Sequence, residues 1–126
     1  MITTVTTQNA PIPGGHFSQG KIFGNLLFTA GQIGQTVDKK LLQSSIEEEV
    51  TQIMNNLSAV AEAAGTSLRN TLKATIFVTN IGDFREVNSA YAKYFPNDPP
   101  ARSTVEVANL AVGARVEIEA VIAIPS

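Results

Sequence analysis

The feature that most constrains the fold lies at the end of the chain. Between Ala114 and Ile124, the residues Val116, Ile118, Ala120, Ile122 and Ile124 alternate with Arg115, Glu117, Glu119, Val121 and Ala123. A period of two belongs to an extended strand, and here one face of it is apolar throughout. Such a face has to be buried, so the strand belongs in a sheet covered on that side. The opposite face mixes apolar and charged groups. It is too apolar for open water and too charged for a dry core.

The cover is predicted to come from two helices. Ile46, Val50, Ile53, Met54, Leu57, Val60, Ala61 and Ala64 recur at helical spacing and form one stripe. Ser44 with Glu47, or Ser45 with Glu48, supplies a capping box. Glu47, Glu48 and Glu49 lie near the positive end of the helix dipole, and Gly65 stands where a C-terminal cap belongs. A second helix starts at Asp83, with Glu86 three residues on, and buries Phe84, Val87, Tyr91 and either Tyr94 or Phe95. Further strands are expected at Ile2 to Thr7, about Leu26 to Ala30, Leu72 to Thr79 and Ala101 to Val107. In the third of these, Leu72, Ala74, Ile76 and Val78 share one face. Residues 34–44 read as an irregular loop.

The resulting order is strands, helix, strand, helix, two strands. This is an α+β arrangement in which both helices cover one face of the sheet. The uncovered face is expected to carry Thr75, Phe77, Val121 and Ala123 beside Arg102, Thr104, Arg115, Glu117 and Glu119. The economical cover for such a face is further copies of the same chain, with the charged groups in clefts between them. A length of 126 residues suits one domain over positions 1–126.

Composition removes several classes of function. There is no cysteine, so disulfides, thiolate metal sites and a cysteine nucleophile are absent together. The one histidine, His16, cannot build a multi-histidine zinc site within one chain and reads as an ordinary loop residue. The net charge is −2 with no Lys/Arg cluster, which offers nucleic acid no basic surface. The apolar runs are too short to span a bilayer. The N-terminus does not read as a secretory signal, so a cytoplasmic location is expected.

Candidate functional residues follow from chemistry and position. Arg102 comes soon after Pro99 and Pro100, which fix the backbone that presents it. Its guanidinium can grip a carboxylate in two places or form a structural ion pair with Glu117 or Glu119. Glu117 in a partly dry cleft can act as a general base on water, or serve as a charge partner, and Glu119 shares its face. Asn88 interrupts the second helix as a poor helix former and can satisfy a loop or donate to a ligand. Gly31, after Ala30, ends a strand where the backbone can approach a ligand closely or simply bend. Gly14 and Gly15 with Phe17 read as a turn beside a core aromatic, or as a loop closing over a pocket.

Several segments together resemble the RidA (YjgF) family over nearly the whole chain. They include Phe17-Ser18-Gln19-Gly20, Phe28-Thr29-Ala30-Gly31-Gln32-Ile33, Glu62-Ala63-Ala64-Gly65 and Lys73-Ala74-Thr75-Ile76-Phe77-Val78. The most diagnostic are Pro100-Ala101-Arg102-Ser103 and Val116-Glu117-Ile118-Glu119-Ala120. The resemblance implies a chorismate-mutase-like homotrimer with clefts between subunits. It also implies hydrolysis of reactive enamines and imines of the 2-aminoacrylate type to a 2-keto acid and ammonia, without metal or cofactor. A keto-acid-binding or regulatory trimer of the same fold is the alternative. On this reading Arg102 holds the substrate carboxylate and Glu117 handles the attacking water. Gly31 gives backbone contacts, and Phe17, Ala30, Asn88 and Thr104 border the ligand. The chain departs from the family where Phe17 replaces a usual tyrosine, Ala30 a frequent serine and Thr104 a frequent cysteine. The loop from Gly34 to Ser45 also lacks the family's usual Pro and Gly-Glu spacing.

Overall fold

The computed structural model describes residues 1–126. Its strands are β1 (Ile2–Val5), β2 (Gly20–Phe23), β3 (Leu26–Thr29), β4 (Thr71–Val78), β5 (Ala101–Glu106) and β6 (Val116–Ala123). They form one sheet in the order β1-β2-β3-β6-β4-β5. Only β4 and β5 run parallel; the other pairings are antiparallel. The strand with the clearest alternation, β6, lies inside the sheet between β3 and β4, where both edges are paired. Val116, Ile118, Ala120 and Ile122 are buried beneath α1 (Ile46–Ala63) and α2 (Phe84–Ala92). No helix is long and apolar enough to cross a membrane.

Local chemistry explains most of the boundaries. The Ser45 hydroxyl accepts a hydrogen bond from the Glu48 amide at 3.0 Å. The Glu48 carboxylate accepts from the Ser44 amide and hydroxyl, so the capping box is shared between both serines. Gly65 follows α1 at φ +85, which a side chain resists. Strand β2 is additional to the strands expected from the residue pattern. Its signal was the pair Gly24-Asn25 between Phe23 and Leu26, with Gly24 at φ +63, a two-residue hairpin turn. Leu72 is half-exposed rather than buried, because the β4–β6 register shifts between Thr71 and Lys73 and turns it outward. Asp83 makes no side-chain cap. Asn80 instead accepts from the Gly82 amide and opens the 3-10 turn that leads into α2.

Two further expectations change. Residues 35–41 close a small hairpin through a bridge between Gln35 and Leu41. Arg115 leaves the uncovered face. Its Nε donates to the Glu49 carboxylate at 2.9 Å, and its Nη2 donates to the Gln43 carbonyl. Glu49 is fully buried and also accepts from the backbone amides of Arg115 and Val116. Gly34 makes room for it, since a Cβ there would lie 2.8 Å from Glu49 Cγ. Glu49 thus ties α1 to the entry of β6 instead of merely facing a helix dipole. Truncating one partner of a buried pair strands the other partner and its amides, at a cost of about 3 kcal/mol. Glu49→Ala is expected to lower the melting temperature by about 10 °C, read by thermal denaturation followed by circular dichroism.

Candidate active site

The site begins with an irregularity between β3 and β6. Phe28 pairs with Val121, and the next bridge joins Gln32 to Ile118. Thr29, Ala30 and Gly31 therefore stand opposite only Glu119 and Ala120, a bulge in the ladder. The Thr29 hydroxyl accepts from the Ala120 amide at 3.0 Å, replacing the backbone acceptor that the bulge removes. The displaced backbone leaves space for Glu117. A Cβ on Gly31 would lie 2.1 Å from Glu117 Oε2, so only glycine lets the carboxylate sit there.

Glu117 faces away from the helices, opposite Phe77 of β4. It lines a cavity of about 560 Å³ together with Phe17, Ala30, Gly31, Lys39 and Val112. The chain's two ion pairs, Lys93–Glu47 and Arg115–Glu49, leave Glu117 out. Its carboxyl is held above the ordinary pKa, first by partial removal from water and then by the like charge of Glu119. A carboxylate in this setting holds a proton more readily than an exposed one, which suits a group that takes a proton and returns it.

Two buried amides build the cavity walls. The Gln19 side chain accepts from the Thr7 amide at 2.7 Å and donates to the Pro11 carbonyl at 2.9 Å. It thereby fixes the loop that carries Pro11, Ile12 and Pro13. Asn56 of α1 donates to the carbonyls of Ile33 and Gln35, which holds the 35–41 hairpin. Phe17 is 54% exposed on this wall and is not a core aromatic. Neither amide stood out in the sequence as part of a site; for Asn56 the available signal was a polar residue on the apolar stripe of α1.

Arg102 lies elsewhere. Parallel pairing sets it beside Ala74, which is buried on the helix side, so Arg102 and Thr104 leave the uncovered face predicted for them. The Arg102 Nη1 donates to Asn88 Oδ1 at 2.8 Å. Its guanidinium carbon lies 5.1 Å from the Tyr91 ring centroid and 5.5 Å from that of Phe84. With Asn88, Tyr91, Pro99 and Pro100 it lines a second cavity of about 400 Å³. The Tyr91 hydroxyl and Thr104 Oγ1 are buried without a hydrogen-bond partner. Burial raises the pKa of that phenol, and the nearby Arg102 charge offsets part of the rise. Unsatisfied buried hydroxyls are uncommon, and that of Tyr91 belongs to a ring lying beside a guanidinium with donors to spare.

The candidate residues thus divide. Phe17, Ala30, Gly31 and Glu117 share one cavity, Asn88 and Arg102 share another, and Thr104 lines neither. Lys39, Val112 and the Tyr91 hydroxyl were not singled out from the sequence.

Comparison with known proteins places these features in company. A family model described as Endoribonuclease L-PSP matches residues 7–124. Protein HMF1 of Saccharomyces cerevisiae is 41% identical over 126 residues, covering 98% of each chain. A 2-iminobutanoate/2-iminopropanoate deaminase of Dermatophagoides farinae is 39% identical over 121 residues, covering 95% of this chain and 94% of that one. The crystal structure of yeast Mmf1 superposes with a TM-score of 0.96 at 34% identity, over 99% of this chain and 100% of that one.

Proposed function

The chain belongs to the YjgF/RidA family, and on that footing we propose that it hydrolyses reactive 2-imino and 2-enamino acids to 2-keto acids and ammonia. The observation that carries the reading is an unpaired, half-buried carboxylate, Glu117, held against Gly31 on a cavity wall. A relative named as a deaminase of this type supports it.

Glu117 and Arg102 open into different cavities on opposite faces of the sheet, so one chain does not present both to one small molecule. Neighbouring copies in a trimer bring the two together: Arg102 and Asn88 come from one subunit, and Glu117, Gly31, Ala30 and Phe17 from the next. The mixed face with Phe28, Phe77 and Val121 is what those copies cover. Arg102 holds the substrate carboxylate through its free donors while Asn88 fixes the guanidinium plane.

In the reaction, a water between Glu117 and the imine carbon attacks that carbon as its proton passes to the carboxylate. The proton then returns to the nitrogen of the carbinolamine formed from the protonated imine; as the C–N bond breaks the hydroxyl proton passes to the Glu117 carboxylate, the carbonyl forms, and ammonia leaves, taking that proton with it as ammonium. An imine carbon is already electrophilic, so anchoring the acid and placing the water supply most of the effect.

The test couples the protein to a dehydratase or amino-acid oxidase that releases the imine and follows keto-acid formation. Acceleration over the spontaneous rate, from a species of three chain masses by light scattering, is expected. A stable monomer, or no acceleration, overturns the proposal. Binding of a keto acid without turnover is the second reading, favoured by the lack of a hydroxyl at Phe17 and Ala30 in the cavity that would hold the water.

A further inference from the structure

The cavity beside Glu117 has one cation in its lining, Lys39. Lys39 closes the 35–41 hairpin at φ +68, the left-handed position that glycine ordinarily takes in such a turn. The Lys39 amide donates to the Thr36 carbonyl at 2.8 Å, and the Thr36 amide donates to the Lys40 carbonyl at 2.9 Å, so the conformation is locked. Val112 also has positive φ, at +51, and lines the same cavity. Two of the chain's three strained non-glycine residues therefore border this one site, and strain of this kind gathers at functional sites.

A lysine kept where glycine would be unstrained calls for a reason in its side chain. The Lys39 ammonium donates to the Ile12 carbonyl across the cavity wall. It has no carboxylate partner, since both ion pairs of the chain lie elsewhere. An ammonium has three donors, so two remain for a ligand. Besides Lys39 and Glu117 the lining includes Ile12, Phe17 and Val112, a surface suited to methylene groups. The volume of about 560 Å³ falls within the roughly 300–1,000 Å³ of sites that hold ligands much larger than a three-carbon acid.

Resting on the deaminase reading of this same cavity, we infer that its substrates are 2-imino acids whose side chain ends in a second carboxylate, which Lys39 binds. The 2-carboxylate goes to Arg102, the carbon chain lies on the apolar wall, and the distal carboxylate meets the ammonium. The hydrolysis itself is unchanged: water adds at the imine carbon and ammonia leaves.

Calorimetry with 2-oxoglutarate and 2-oxobutyrate compares a keto acid that has the distal carboxylate with one that lacks it. A charge-assisted hydrogen bond gives about tenfold in affinity, so 2-oxoglutarate is expected to bind about tenfold more tightly. Lys39→Asn keeps a residue that tolerates left-handed backbone, and it is expected to bring the ratio close to one. Lys40→Asn removes the same charge one residue away, outside the cavity lining, and is expected to leave the ratio as in the parent. Equal binding of the two acids by the parent overturns the inference, as does an equal change of the ratio in both variants. Hydrolysis of the imines of glutamate and 2-aminobutyrate, released by an amino-acid oxidase, is followed in parallel. Failure to accelerate either imine overturns the deaminase reading alone, because the affinity ratio still decides the role of Lys39.

Discussion

Replacing Glu117 by glutamine is expected to reduce keto-acid release by about a hundredfold or more while ligand binding survives. The amide has nearly the shape of the carboxylate and fits the space that Gly31 leaves, but it does not take a proton from water at neutral pH. Glu119→Gln is the control, because Glu119 lies on the same face two residues on, opposite Thr75, outside the cavity that holds Glu117. The pH dependence should agree. The base form is the active one, so the parent's rate falls as pH drops through the raised Glu117 pKa. Removing the Glu119 charge shifts that limb to lower pH. Stability should move the other way. A carboxyl whose folded pKa is raised supports the fold below its unfolded pKa, and that support is lost as pH rises through the folded value. Glu117→Gln should therefore melt above the parent at pH 8, with the gap closing at pH 4. A variant as fast as the parent in the coupled assay removes Glu117 from the role of base.

The second large effect follows from the separation of the two cavities. Arg102→Lys is expected to lose at least tenfold in keto-acid affinity by calorimetry. A point charge does not reproduce a planar fork that is stacked on Tyr91 and Phe84 and already bonded to Asn88. If the site forms between copies, Arg102→Lys and Glu117→Gln damage opposite halves of it. Unfolding the two variants together and refolding them at equal concentration should then raise activity, at substrate levels too low to saturate Arg102→Lys, above that of either alone. With random assembly, about a quarter of the sites regain both native groups. Each variant refolded alone should stay as impaired as before. Absence of recovery in the mixture, with mixed assemblies demonstrated by mass spectrometry, would mean that the two residues do not serve one substrate.

Much of the architecture was legible because it is set by local pattern. The alternation through β6 and the stripe from Ile46 to Ala61 each define a buried face whatever lies opposite, since burying an apolar face is favourable against any apolar partner. Gly65 was legible for a similar reason: a positive φ after a helix depends on the residue itself. The candidate residues Arg102, Glu117 and Gly31 were legible as types of chemistry and through the RidA resemblance.

Their grouping was not legible. Alternation along β5 says that Arg102 and Thr104 share a face, but not which one. That depends on the parallel register with β4, a pairing across almost thirty residues of chain that sets Arg102 beside buried Ala74. The bulge at Thr29–Gly31 depends on the antiparallel partner Ile118 taking up Gln32 one residue late. Glu49 looked like a helix-dipole charge until the fold brought the Arg115 guanidinium and two amides to it. Lys39 gave no sign of a site, since its place in the cavity arises only when Asn56 anchors the chain at Ile33 and Gln35 and the Lys39 ammonium reaches the Ile12 carbonyl of the Pro11–Pro13 loop. By itself the sequence determined which faces are apolar and which side chains can do chemistry, because both are properties of residues and their short-range spacing. The tertiary structure decided which of those side chains meet, because strand register and loop anchoring are fixed by contacts between segments far apart in the chain.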